Sequence, residues 1–305
     1  RALEASVPLA LFGDLESGDE ISFAAFSVEA SGVFDRLPAS GPGLSNVPDL
    51  GGGVLVLRVD DPEGDDYGPG TYSYPSDAVF QAGSYDLTEF VVEEEENYLK
   101  FTVGLNAAIQ NPWGSGINLS IQTIDIYIDI DPGAGTGARL LLEGRNAALP
   151  ERNGWEYALW VEGWNQKVLT PRDPGDPASA PVEMSGSPLK VRVDADGGTV
   201  IIRLPKEIVG GDPTEFGYTM VLLGQEGFPS SGVRRVRDVD PTPAQWRFGG
   251  APEDVNHTRI LDMAVPATSE VDQAALLSDY RSVTGGRVDS IEPAGLPGAY
   301  LNTAE

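Results

Sequence analysis

The chain is 305 residues long and sets 47 acidic side chains against 20 basic ones, a formal net charge of −27. That balance argues against DNA, RNA and anionic membrane surfaces as partners, and it suits a solvated extracellular protein or one that takes up cations. The absence of cysteine excludes disulfides and thiolate metal sites, and no apolar run is long enough to cross a bilayer as a helix.

Glycine, at 37 residues, and proline, at 24, point to many short strands joined by turns rather than to long helices. The first residue is Arg1 rather than Met, as expected of a processed or partial chain from which any signal peptide has gone.

In chain order, the first expected strand is Glu20–Val28, and Leu37–Gly53 reads as a Pro/Gly/Ser-rich connection. Val54–Val59 follows, then an acidic loop. Asp86–Val92 and Tyr98–Leu105 flank a turn at Glu93–Glu96, giving a hairpin. Leu119–Ile130 alternates almost strictly, with Ile124, Ile126, Ile128 and Ile130 on one face and Asp125, Tyr127 and Asp129 on the other. Trp155–Trp164, Leu189–Val193, Thr199–Leu204, Phe216–Leu223 and Arg234–Val239 complete the main set, with a last strand near Arg259–Asp262. Helical pattern enters only at Ser269–Tyr280, where Ser269 and Asp272 resemble a capping box. The expected fold is all-β, an antiparallel β-sandwich. Its divisions are an N-terminal β segment with linker over 1–50, the sandwich over 51–268, and a C-terminal helix and tail over 269–305.

The acidic loop places Asp60, Asp61, Glu63, Asp65 and Asp66 within seven residues. Calcium takes six to eight oxygen ligands, and a short loop with close aspartates and glycines at its bends supplies several at once. Asp61, Asp65 and Asp66 suit that role, with Asp86 closing the shell from the next strand. The alternative is a solvated acidic turn. Asp129 and Asp131 allow a second site, although turn capping before Pro132 accounts for Asp131 equally well. The Glu93–Glu96 run reads as exposed charge.

A sugar site needs flat aromatic surface beside planar hydrogen-bonding groups. Of the five tryptophans, Trp155 and Trp160 lie within a strand, where core packing is the ordinary role. Trp113 sits in the loop Asn111-Pro112-Trp113-Gly114, Trp164 ends its strand, and Trp246 lies beside Gln245 and Arg247; these three are the candidate sugar platforms, in that order. The single histidine, His257, lacks the partners and motif of a catalytic triad and reads as structural. A glycosidase needs two carboxylates held in contrasting environments, and the clustered loop looks more like a metal site than such a pair.

Seven strings in order carry a family resemblance: DDPEGDDYGPGTYSYPSDAVF, YDLTEFVV, NPWG, DIYIDIDPGAGTGARLLLEGRNA, GWEYALWVEGW, RVRDV and QWRFGG. Together, over about residues 50–265, they resemble the C-terminal module of glucodextranase. That module is similar to regions of secreted family 57 glycoside hydrolases and pullulanases, and to DOMON-like jelly-roll sandwiches that include the family 9 carbohydrate-binding modules. The resemblance implies a non-catalytic, extracellular or cell-surface sandwich that binds polysaccharide, α-glucan being favoured, often with structural Ca²⁺. Any catalytic domain would lie upstream. Arg145 and Asn146, in the string GRNA, become candidate hydroxyl binders or loop braces. The alternative is a calcium-dependent envelope protein, a surface-layer or filament subunit, that assembles with its own copies through its terminal segments.

Overall fold

The computed structural model describes residues 53–265 and 272–278, short gaps at 177, 187, 228–231 and 254–256 aside, and of residues 1–52 only the course of four strands. The chain divides into two compact units, Arg1–Gly52 and Gly53–Glu305. In the first, β1 (Glu20–Phe23) pairs antiparallel with β4 (Gly43–Asn46), and β2 (Ala25–Glu29) with β3 (Gly32–Leu37). The strand expected over Glu20–Val28 is therefore two strands with different partners, and the expected connection contains β4. Ser269 and the tail from 279 onward lie outside the described residues.

The second unit is a β-sandwich of two antiparallel sheets. One sheet has five strands in the order β12-β13-β7-β6-β5: β5 is Val54–Asp60, β6 Leu87–Glu94, β7 Tyr98–Leu105, β12 Lys190–Asp194 and β13 Thr199–Pro205. The other has six in the order β11-β10-β9-β8-β14-β15: β8 is Gln122–Asp129, β9 Tyr157–Glu162, β10 Asn165–Pro171, β11 Pro181–Glu183, β14 Gly217–Gly224 and β15 Ile260–Met263. A four-residue helix, α1 (Lys206–Val209), follows β13, and α2 (Gln273–Ser278) falls inside the expected helix, with Asp272 accepting from the Ala275 amide at 2.7 Å.

The period-two pattern places the core. Phe90 and Val92 of β6, Phe101 and Val103 of β7, and Val200, Ile202 and Leu204 of β13 face Ile124, Ile126 and Ile128 of β8 and Tyr218, Met220 and Leu222 of β14 across the sandwich. The opposite face of β8 is not solvated, as simple alternation would have it. Tyr127, with Trp160 of β9 and Val221 and Leu223 of β14, is covered by Ala138–Leu149 and by Leu276 and Leu277 of α2, forming a second apolar layer. All eight positions of β8 and of β14 are consequently buried. Trp155, ahead of β9 and bridged to Ala138, joins Trp160 in this layer.

Three further differences from the sequence reading have local causes. The strand expected to run to Trp164 stops at Glu162, and a tight turn returns the chain as β10. Arg234–Val239 is not a strand; it touches the end of β14 through the Gln225–Val236 bridge and the Arg237 amide, 2.7 Å from the Gly224 carbonyl. Glu93 and Glu94 belong to β6 rather than to a turn. Across the outer face of the five-stranded sheet Glu93 pairs with Lys100 and Glu95 with Arg203, and at the end of β6 Glu94 pairs with Lys206, each at 2.7–2.8 Å.

Candidate functional site

Three loops at one end of the six-stranded sheet meet around a cavity of about 1040 Å³. The loop after β7 brings Trp113. It is tied by Asn111, whose Oδ1 accepts from the Ser115 amide at 2.8 Å and whose Nδ2 donates to the Ser115 carbonyl at 3.1 Å. The β9–β10 turn brings Trp164. A Cβ on Gly163 would stand 2.1 Å from the Leu119 carbonyl oxygen, so only glycine lets this turn press against the Trp113 loop. Glu162, wholly buried, fixes the turn by accepting from the Trp164 amide, the Asn165 side chain and, at 3.1 Å, Arg235. The third loop brings Trp246. Its Ala244 carbonyl receives the Ser76 amide at 3.0 Å, and the Gln245 side chain donates to Asp77 at 2.9 Å.

All three expected tryptophans therefore line one cavity. Their exposures are 38 %, 45 % and 38 %, against 1 % for Trp155 and 2 % for Trp160. Trp113 and Trp246 rest on Phe80, with ring centroids 6.4 and 5.9 Å from it, and the Arg237 guanidinium lies 5.0 Å from Phe80 and 5.6 Å from Trp113. The polar lining comes from Gln225, Glu226, Asn165 and the arginines 235, 237 and 247. Apolar rings beside planar hydrogen-bonding groups are what a pyranose, with its C–H face and hydroxyl rim, requires. Sequence reasoning missed Gln225, Glu226, Arg235 and Arg237; the cluster of arginines in RVRDV, in so acidic a chain, was the available signal.

The acidic loop builds a second centre. Asp61, just past β5, Asp65, in the loop, and Asp262, on β15, each direct a carboxylate oxygen to one point, the three atoms lying within 4.8 Å of one another. Asp61 Oδ1 accepts from the Val265 amide at 2.6 Å, and Asp262 accepts from the Leu87 and Met263 amides, both at 2.7 Å. Asp61 Oδ2 and Asp65 Oδ1 are buried and have no hydrogen-bond partner. Burial, compounded by the neighbouring carboxylates, pushes Asp61 up to about 9 and Asp65 up to about 6, and holds Asp262 well above the usual carboxylate range. Asp66 and Asp86, expected as ligands, stand outside this trio, although the charge of both helps to raise Asp65. Asp66 receives the Tyr74 hydroxyl, and Asp86 accepts from the Gly64 amide at 2.9 Å and from Asn106 at 2.8 Å. Asp262 was missed as a member of this cluster because an aspartate in an apolar strand gives no loop signal.

The family model of the C-terminal binding module, SLH-like, of glucodextranase matches residues 56–291. The chain belongs to this family. Comparison with curated proteins finds no match.

Three further residues weighed from the sequence, Arg145, Asn146 and His257, lie away from both centres. Arg145 is fully buried; its Nε and Nη2 grip Asp125 at 2.6 and 3.0 Å, and Nη1 donates to the Glu143 carbonyl at 2.9 Å. Asn146 donates to the His257 carbonyl at 3.0 Å. Neither lines the cavity, and their bonds are those of the loop braces that the sequence also allowed. His257 sets Nε2 2.9 Å from the Val239 carbonyl oxygen and its ring edge-on to Tyr72. Asp129 and Asp131, the second pair noted in the sequence, come together with Glu156, one oxygen of each lying within 4.8 Å of the others; the Thr136 hydroxyl stands 2.5 Å from Asp131 and 3.1 Å from Glu156, and Asp129 receives the Asp131 amide. Among the described residues no helix is long and apolar enough to cross a membrane.

Proposed function

We propose that this module holds a saccharide chain, without cleaving it, in the cavity lined by Trp113, Trp164 and Trp246, and that a calcium ion at Asp61, Asp65 and Asp262 sets the loops that form it. The observation that carries the reading is the meeting of three half-exposed tryptophans from three separate loops on one cavity, while the chain's other two tryptophans are buried. The family's description as a binding module supports the same role. Indole faces take the C–H face of a sugar ring, and the planar side chains around them take its hydroxyls. α-Glucan, expected from the resemblance, is the polymer to try first, and the setting is extracellular or at the cell surface.

The acidic centre fits a hard divalent cation. Its carboxylates are the oxygen donors calcium takes, and two of the oxygens are buried with nothing to bond. A bound ion would neutralise mutual repulsion that protonation otherwise relieves. Asp66 and Asp86 then act on the loop: Asp86 through the Gly64 amide and Asp66 through Tyr74.

The test is calorimetric titration with α-glucan oligosaccharides in calcium-containing buffer, beside Trp246→Ala. Saturable binding that this variant weakens about tenfold or more is expected. Absence of binding to any α-glucan or cell-wall glycan would remove the reading.

A further inference from the structure

The cavity's charge is opposite to that of the chain. In a sequence of net charge −27, its lining contributes three arginines, Arg235, Arg237 and Arg247, and one carboxylate, Glu226. Glu162 lies behind the wall and answers Arg235. Glu226 is shared, 3.5 Å from Arg237 Nη1 and in direct contact with Arg247. One carboxylate thus serves two guanidiniums, and a positive charge is left over. The arginines are held there by the fold: Arg237 donates to the Trp246 carbonyl at 2.7 Å and spans Phe80 and Trp113.

Donors are also in surplus. Arg237 Nε and Gln225 Nε2 are buried without a hydrogen-bond partner, in side chains exposed to only 4 % and 2 %. Burial lowers the proton affinity of Arg237, and the nearby Arg247 charge lowers it further. A neutral sugar hydroxyl both gives and takes a hydrogen bond. A carboxylate only accepts, and it brings the missing negative charge; against a guanidinium it can bond through both oxygens at once.

We infer that the cavity selects saccharides bearing a carboxylate, the acid group facing Arg247 and Arg237 while the sugar ring stacks on Trp246. This rests on the saccharide reading above and narrows its ligand class. The acid can belong to a uronic ring or to a substituent on a neutral ring; the recognising chemistry is the same.

The experiment compares matched ligands on the full chain by calorimetric titration: an α-1,4-linked gluco-oligosaccharide, the same oligosaccharide oxidised to the carboxylate at C6, the same backbone carboxymethylated, and an oligogalacturonate. An acidic ligand binding about tenfold more tightly than the neutral one is expected, with the advantage shrinking as salt rises toward ~0.15 M and beyond. Arg247→Gln should bring the ratio of acidic to neutral affinity close to one, and Arg247→Lys should keep part of it. A preference for the C6 carboxylate over the carboxymethyl group places the acid on the ring, and the reverse places it on a substituent. Neutral ligand binding as tightly as every acidic one overturns this inference and leaves the saccharide reading standing. No binding by any of the four overturns both.

Discussion

Trp113 and Trp246 bring their indole centroids to 6.3 Å, inclined at 53°, from loops on opposite sides of the chain's middle strands. Both lean on Phe80, which is buried and joins the main core. The pair therefore has a fixed base, as the proposed sugar platform requires. Trp113→Ala should weaken saccharide binding about tenfold or more while moving the melting temperature little, since the indole is part exposed. Phe80→Ala removes the base and the core contact together, costing about 3–5 kcal/mol of stability besides the affinity. Titration calorimetry and thermal melts separate the two effects, and equal melting losses in both variants would count against a platform.

Arg145 should behave in the opposite way. Its bidentate grip on Asp125 is fully buried, so Arg145→Met strands a carboxylate in the layer over β8. The expected cost is about 3–5 kcal/mol in denaturant unfolding. Because Arg145 lies outside the cavity lining, saccharide affinity of the folded fraction should stay at the parent value; a large loss of affinity without a loss of stability would return Arg145 to the site.

How much of this was legible in the sequence depended on how local each cause is. Alternation in LSIQTIDIYIDI and YLKFTVGL marked β8 and β7 because a strand's inward face is written at every second residue. The same alternation set Asp125 and Tyr127 on the other face but could not show what covers it, since the layer that buries them arrives from Ala138–Leu149 and α2 and leaves no mark on β8 itself. Trp113, Trp164 and Trp246 stood out because each sits in or beside a turn, where a large ring has no core to enter. Asp262 did not, because its role comes from lying beside Asp61 in space, a juxtaposition made only when β15 pairs with β14 at the sheet edge.

The acidic centre makes stability depend on pH with a definite sign. Folding raises Asp61 to about 9 and Asp65 to about 6, whereas in the unfolded chain both titrate near ~4. Between those values the folded state holds protons that the unfolded state has lost, so without a cation stability falls as pH rises from ~4 through about 6 toward about 9. Calcium should reverse this by taking the place of the protons. The melting temperature in chelator should decline across that range, and the gain on adding calcium should grow with pH. A calcium gain that is flat across the range would place the ion elsewhere.

Asp65→Asn isolates the charge from the fold. Asp65 Oδ1 has no hydrogen-bond partner to lose, so the substitution mainly removes one negative charge from the cluster. In chelator at pH 8 the variant should melt higher than the parent, because repulsion and desolvation of a buried anion are relieved. In calcium it should melt lower, having lost a ligand; stabilisation by bound ion grows as RT ln(1 + [L]/Kd), about 2.7 kcal/mol at a hundredfold excess over Kd. That crossing of the two curves is what a merely structural aspartate would not produce.

The two centres are joined through one short stretch of chain. Tyr74 gives its hydroxyl to Asp66 and receives the Tyr85 amide at 3.0 Å, while its ring meets Phe248 edge-on at 5.8 Å. The preceding residue, Ser73, exchanges both backbone hydrogen bonds with Gly249, at 3.0 and 2.9 Å. Phe248 in turn lies 6.2 Å from Phe80, the base of the platform. An ion that fixes the acidic loop therefore fixes the backbone carrying Trp246, and that loop has already lost part of its freedom before a sugar arrives. Chelation should weaken saccharide affinity about fivefold or more, and by linkage saturating saccharide should tighten calcium binding by the same factor. Tyr74→Phe cuts the bond to Asp66 but keeps the ring on Phe248, so it should reduce this coupling while leaving both ligands able to bind. Identical saccharide Kd values in calcium and in chelator would show the centres to be independent.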